Sequence, residues 1–556
     1  MSNAFFSSTM WNIIQKHGEL EVDLSDLFVT LSLTAIFGVL WYYLRRGTAM
    51  TSRLPPPPPL PPGPRGLPIL GYLPFLERDL HRQFANLASL YGPIFKFSLG
   101  SQTCIVLTSP SLYREMVRDK DKVFANHVLN ISVTISTFGG NDIAFTPYGS
   151  AWKKLRKVFA QEVMNNAVLD SLCSLRREEV KKSILYVYQR IGQPIDINHL
   201  AYMTSINSML RMIWGGSLPG EEAEAVNDPQ FRKAVADILF LVGKPNVSDV
   251  FPALSWLDVQ GIEKETRRLT MVFDRMFDSA IEQRKNEMRN NDKGRSGVQE
   301  NNKEMRKDFL QFLLDSQEGN EDSETSITMA QLKAILMDPV VGGTESSSTT
   351  VEWVMAELLK NPEAMNKLKE ELTQVVGLNK MVEESHLSQL HYLNAVIKET
   401  LRLHPPFPLL VPRTPNQNTT LGGYKVPKGA SIYINAWAIQ RDPTLWENPL
   451  EFRPERFLMM NGTSQDHDVN AGKLAYTGNN FNFIAFGSGR RICAGLPLAE
   501  RVLTFVLASF LHSFDWKLPE FGAKLDLSDT FGIVTKKLDP LIAVAKPRLS
   551  DLKLYE

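Results

Sequence analysis

Phe486-Gly487-Ser488-Gly489-Arg490-Arg491-Ile492-Cys493-Ala494-Gly495 sets one thiol in a frame of glycines and arginines. Glycines at 487, 489 and 495 permit positive φ and a tight loop, so backbone N–H groups can turn toward the sulfur. Leu496 onward reads as a helix whose positive end faces the thiol, an environment that favours a thiolate. A thiolate so placed can serve as a nucleophile, a zinc ligand or an axial haem ligand; otherwise the cysteine is a structural residue in a Gly-rich turn. Zinc asks for partner ligands at short spacing, yet Cys104 and Cys173 are far off and no Cys-x-x-Cys or paired-histidine motif exists. The decapeptide by itself leaves nucleophile and haem ligand open.

Other patterns bear on that choice. Trp152-x-x-x-Arg156 sets an indole donor and a guanidinium one turn apart on one helix face, suited to an anionic carboxylate or to a plain surface stack. Glu399-Thr400-Leu401-Arg402 carries an acid and a base three residues apart, and Phe452-Arg453-Pro454-Glu455-Arg456-Phe457 supplies a further arginine. A long helix is expected from about Met329 to Leu359, its apolar pattern interrupted by Gly342-Gly343-Thr344-Glu345-Ser346-Ser347. Each glycine costs a helix about 1 kcal/mol, so two together point to a close approach to the backbone. The alternative is a break, with Asp338-Pro339 as N-cap and first residue of a new helix. Pro339 cannot donate to the carbonyl of Ile335, which predicts a kink.

The chain has 556 residues, 43% hydrophobic and 22% charged, enough for a large core in two domains or one large fold. Lys+Arg and Asp+Glu balance at 61 each, so no global field points to nucleic acid. Three scattered cysteines make no disulfide framework and fit a reducing compartment. No residue is charged from Leu27 to Leu44, and Trp41, Tyr42 and Tyr43 close that stretch as an interfacial belt would, so 27–44 is expected to be a transmembrane helix. Arg45, Arg46 and Arg53 follow it, which puts residues 1–26 in the lumen and the long C-terminal part in the cytosol. Residues 45–66 are basic and proline-rich, extended and stiff because proline fixes φ and donates no hydrogen bond. Alone they read as an SH3-type ligand or a plain linker, and placed between a span and a globular part they look like a hinge. From 67 to 556 the pattern is mainly helical, with strands at Ile94 to Leu99, Cys104 to Leu107 and Ser431 to Asn435. The polar stretches Arg284 to Asp308 and Asn461 to Asn480 read as solvated surface loops.

Phe486-x-x-Gly489-x-Arg491-x-Cys493-x-Gly495 resembles the cytochrome P450 haem-binding signature at every fixed position, and the other motifs follow in family order across residues 27 to 548. The resemblance implies the cytochrome P450 fold, mainly α with small β-sheets, behind an N-terminal transmembrane helix. It implies haem b, with Cys493 as the iron ligand, Phe486 beside the sulfur, and Trp152, Arg156, Arg491 and Arg413 of Val411-Pro412-Arg413 toward the propionates. Glu399, Arg402 and Arg456 would form a buried ion network, tolerable only if every group is hydrogen-bonded. The stretch 342–347 resembles the distal oxygen-binding segment, where an acid and an adjacent hydroxyl relay protons. Here the usual threonine is Ser346, after Glu345, which keeps the hydroxyl and loses the methyl.

The chain is most similar to the plant A-type membrane-bound members, and Val340-Val341-Gly342-Gly343-Thr344-Glu345 with Val351-Glu352-Trp353 resembles the family numbered seven hundred and six. The activity implied is monooxygenation of a lipophilic plant secondary metabolite, a sesquiterpene or other terpenoid, with a flavonoid or phenylpropanoid as the alternative. A haem-thiolate isomerase or dehydratase is the rival of another class, and retention of Glu345 and Ser346 argues against it. No flavin or nicotinamide motif is present, so O2 activation would draw electrons from NADPH through cytochrome P450 reductase, docked on Lys153, Lys154, Lys157 and Arg490. The expected location is the endoplasmic reticulum membrane, single-pass, with the catalytic domain cytosolic. Alignment to the family puts Phe138, Asn141, Val340, Thr344, Leu409, Leu410, Phe531 and Ile533 around the substrate. Their apolar character favours a neutral lipophilic molecule, and no nucleic-acid partner is expected.

Overall fold

Three helices of this chain bury nearly every face, and the remaining elements are arranged around them. A helix apolar all round can sit only in the centre of a large core. In the computed structural model, residues 58–214, 229–294, 308–318, 326–459, 476, 478–519 and 525–556 are described. The helices that carry the site are α1 (Ser150–Glu162), α2 (Ile197–Trp214), α3 (Met329–Gly342), α4 (Glu345–Lys360), α5 (His391–Leu403) and α6 (Leu496–Ser513). Helices α2, α4 and α6 are the buried three, and α2 packs along α4.

The helix expected over 329–359 is two helices, separated at Gly343–Thr344. Its start is Thr328, which accepts from Gln331 N in a capping box, so Asp338-Pro339 is interior helix and not a second start. The interruption falls beyond Pro339, where hydroxyls take up carbonyls: Thr344 Oγ1 donates to Val340 O at 2.7 Å and Ser346 Oγ to Gly342 O at 2.8 Å. Gly343 is favoured by packing, because a Cβ there would lie 2.8 Å from the backbone oxygen of Pro339, with the movable Met209 Cε of α2 at 2.3 Å. Gly342 has nothing within 4 Å of such a Cβ and faces open space.

A five-stranded sheet flanks the helices. Its strands are β1 (Ile94–Leu99), β2 (Gln102–Leu107), β3 (Asn126–His127), β4 (Arg413–Thr414) and β5 (Ser431–Ile434), in the order β1-β2-β5-β4-β3. β1 and β2 are antiparallel, β2 and β5 parallel with Cys104 beside Ser431, and His127 of β3 lies opposite Arg413 of β4. Small sheets at 194–196/514–517/542–547, 419–421/424–426 and 529–530/536–537 complete a mainly helical molecule.

The expected lumenal segment 1–26, the span 27–44 and the hinge up to 57 lie outside the described residues. The described end of the hinge is tied down: Pro62 O accepts from Lys96 N of β1 at 2.8 Å, and Pro59 O from Lys425 N at 2.8 Å. The expected loop at 284–308 begins as helix, since Ile262–Gly294 is one continuous helix. Arg284 anchors it by donating to Trp214 O at 2.6 Å and pairing with Asp308 at 2.5 Å. Good helix formers such as Arg, Lys, Glu and Met compose a solvated helix as readily as a loop. Most of 461–480 lies outside the described residues.

Candidate active site

The thiol loop is built as its glycines require at two of three positions. Gly487 and Gly489 take φ of 71° and 69°, and a Cβ on Gly489 would press on Val117 and Asp121. Gly495, also expected at positive φ, is instead the N-cap of α6 at φ −85°. Cys493 N donates to Phe486 O at 3.0 Å and closes the loop; the cysteine keeps accessible surface, and it lines a cavity of about 300 Å³ set deep among protein atoms. Burial pushes the thiol pKa up, against the Gly495 and Leu496 amides and the Arg156 guanidinium, which pull it down. The expected amide donors are there, but in the protein alone they do not outweigh burial; a bound cation at the sulfur would shift that balance toward the thiolate.

Three guanidiniums, of Arg156, Arg413 and Arg491, line the same cavity, and among the described residues no carboxylate is bonded to any of them. Arg491 donates to Ala125 O at 2.6 Å, Ile143 O at 3.1 Å, Ala144 O at 3.0 Å and Thr146 O. Arg413 reaches Ser488 O at 3.2 Å, and Arg156 reaches Ile492 O at 3.0 Å. Burial lowers the pKa of all three, Arg491 to about 9 with help from Arg413 and Arg156. Arg413 is buried and Arg156 and Arg491 are partly so, and cations held by neutral oxygens form a cradle for an anion bearing more than one negative charge. Trp152 stands behind them, donating Nε1 to Ile143 O at 3.0 Å with its ring 4.6 Å from the Arg491 guanidinium carbon. It is therefore turned to the protein and does not line the cavity.

The opposite wall is the interrupted helix pair, presenting Asp338, Pro339, Gly342, Gly343, Ser346 and Ser347. Ser346 opens on the cavity, whereas Glu345, 1% exposed, is on another face and pairs with Lys536. Neighbours in a helix are turned about 100° apart, so acid and hydroxyl do not face the cavity together.

Of the expected substrate contacts, Leu410 lines this cavity, at the strained φ of 49°. Val340 and Thr344 are fully buried and do not line this cavity, whose face at this point is held by Pro339 and Gly343. Leu409 and Phe531 pack in the cluster of Phe84 and Phe97. Phe138 and Ile533 pack against the main core, and Asn141 donates to Phe138 O at 2.6 Å. His127, Phe407 and Thr350 line the cavity without a signal in the sequence, since sheet register and the helix interruption place them.

Glu399, Arg402 and Arg456 are brought together and fully bonded. Arg402 grips Glu399 through Nε at 2.8 Å and Nη2 at 2.9 Å, and Arg456 Nε reaches Glu399 Oε1 at 2.9 Å. The remaining donors of the two arginines go to carbonyls such as Gln440 O, Pro449 O and Glu447 O, which meets the condition for burying such a network.

Comparison with known proteins agrees with this geometry. Residues 61–544 match the cytochrome P450 family model. A flavonoid 3'-monooxygenase of Crocosmia x crocosmiiflora is 35% identical over 529 residues, 94% of this chain and 98% of that one. A geraniol 8-hydroxylase of Swertia mussotii is 36% identical over 527 residues, 94% and 99% of the two chains. A zebrafish cytochrome P450 solved with abiraterone superposes with a TM-score of 0.68 at 24% identity, covering 85% of this chain and all of that one, a likeness of fold. The chain belongs to the cytochrome P450 family, within its plant members, and is a haem-dependent monooxygenase.

The site fits haem b: a thiol on one wall, and an arginine cradle for which two propionates are the natural partners. Loss of one cradle arginine removes a charge-assisted contact, so Arg413→Leu should weaken haem retention about tenfold or more, read as haem transfer to an apo-acceptor. Unchanged transfer would remove Arg413 from the cradle.

Proposed function

We propose that this monooxygenase hydroxylates a neutral, lipophilic plant secondary metabolite of the terpenoid class, with a flavonoid as the second reading. The observation that carries it is the apolar part of the cavity lining, Met209, Met212, Pro406, Phe407 and Leu410; of the charged lining residues, the three arginines belong to the haem cradle and Asp338 is held by the Ile143 amide. A terpene hydroxylase and flavonoid hydroxylases stand among its relatives at similar identity, so both classes belong in the test. The family numbered seven hundred and six is the subgroup we favour. Incubation of membranes carrying the enzyme and reductase with sesquiterpenes and flavonoids decides: hydroxylated terpene is expected, and flavonoid product alone overturns the terpenoid assignment.

When bound, haem supplies dioxygen binding and activation at its iron. Of the chain's own residues, Cys493 would hold the iron through its sulfur, and Ser346, which opens on the same cavity, would offer its hydroxyl for proton transfer. Glu345, adjacent in sequence but on another helix face and paired with Lys536, does not reach into the cavity, so Ser346 is the residue assigned to the relay there. Ser346→Ala should lower product per NADPH consumed about tenfold or more while NADPH oxidation continues. Equal coupling in the variant would take Ser346 out of the relay.

Electrons come through a reductase, and we assign its docking face to the exposed end of α1. Lys153 and Lys157 are exposed there, whereas Lys154 donates to Ser326 O and Arg490 is paired with Asp121. The two engaged cations contribute less to steering than expected from the sequence. Membrane attachment at the endoplasmic reticulum is part of the same proposal. It is supported by Ile69 and Trp256, 83% and 79% exposed, in segments that meet at the β1–β2 turn, where Gly71 pairs with Leu99 and Ser101 bonds Val250.

A further inference from the structure

Asp142 and Asp338 come from distant parts of the chain and meet side chain to side chain at the cavity edge. Asp142 is 2% exposed and precedes Ile143 and Ala144, which line the cavity; Asp338 lies on α3 and lines the cavity. Two carboxylates cannot be hydrogen-bonded to each other unless one carries a proton. Their other partners are all amides of one segment: Asp338 Oδ2 accepts from Ile143 N at 2.7 Å and its carboxyl also from the Ala144 amide, while Asp142 Oδ1 accepts from Phe145 N at 2.8 Å. The carbonyls of Ile143, Ala144 and Thr146 turn the other way and hold Arg491 of the thiol loop. Residues 142–146 thus bridge the two walls, amides to the distal helix and carbonyls to the proximal loop.

We infer that Asp142 is a positioning residue that shares one proton with Asp338, and that this proton clasps residues 142–146 to the distal helix and so sets how closed the cavity is. The proton has a physical reason to stay. Burial pushes Asp142 up to about 6, and burial with the adjacent Asp142 raises Asp338 well above the usual carboxylate range. The charged groups facing the pair are Arg491 from the thiol loop and Arg156 from α1. Carboxyls with raised folded-state pKa values give a clasp that is complete at low pH and lost as pH rises through those values, leaving two adjacent carboxylates that repel.

Carbon monoxide carries no titrating group, so its recombination with ferrous holoenzyme after flash photolysis reads cavity access without a known substrate. From about pH 5 to about pH 8, a range spanning the about 6 of Asp142, wild-type recombination should quicken in a several-fold step. Asp142→Asn places an amide donor against Asp338 that no pH in this range removes, so its recombination should stay slow throughout; Asp142→Ala should be fast throughout. A wild-type step that survives in Asp142→Asn would come from other groups, the arginines included, and would overturn the clasp, as would a wild type without a step. If Asp142→Ala fails to take up haem, the Asp142→Asn profile alone decides.

Discussion

Cys493→Ser should abolish the reduced carbon monoxide difference band of a thiolate-ligated haem, and with it NADPH-dependent turnover. The loop itself has no reason to change, because its closure is a backbone bond from Cys493 N to Phe486 O and its turns belong to Gly487 and Gly489. What is lost is the ionisable atom. Burial already resists ionisation of the thiol, and a serine hydroxyl is a far weaker acid in the same place. Haem held by Arg156, Arg413 and Arg491 should remain bound in part, so loss of the band with retained pigment separates a missing ligand from a missing fold. A normal band in the variant would assign the sulfur another role.

Glu399→Leu should be the most destabilising single change outside the haem contacts. It leaves the Arg402 and Arg456 guanidiniums, at 0% and 6% residue exposure, facing each other without their shared anion. Removing one partner of a buried ion network costs about 3–5 kcal/mol. Thermal unfolding should show a large fall in Tm with poor haem incorporation, whereas Lys367→Ala, which breaks a surface pair with Glu455, should leave Tm unchanged. Equal shifts in the two variants would mean that the network is not what locks this part of the core.

Much of this was legible in the sequence because it is local or patterned. The thiol loop, the helix beginning at Leu496 and the strand at Ile94–Leu99 follow from glycine placement and apolar periodicity within one short segment. Burial of Glu399 with Arg402 and Arg456 is expected from the family resemblance, since the three-residue spacing of Glu399 and Arg402 alone does not distinguish a buried pair from a surface one. The distal wall was readable in part: the interruption at Gly342-Gly343 and the placing of Ser346 are expected, but which neighbours face the cavity is not, since Pro339, Gly342 and Ser346 line it while Val340 and Thr344 are buried away from it. Leu409 and Phe531 belong to an aromatic cluster around Phe84 that long-range packing alone defines, and the meeting of Asp142 with Asp338 has the same origin. Arg284 to Gly294 shows the limit from another side, since a charged run is equally at home in a solvated helix.

The most direct test of a haem-thiolate monooxygenase at this site is turnover with reductase and NADPH under isotopically labelled dioxygen, using a substrate found in the terpene and flavonoid panel. One labelled oxygen atom in each product molecule, with no product when reductase is omitted, is the predicted result. Product formed without reductase, or product that carries no label from dioxygen, would contradict the account and place the chain with haem-thiolate isomerases or dehydratases.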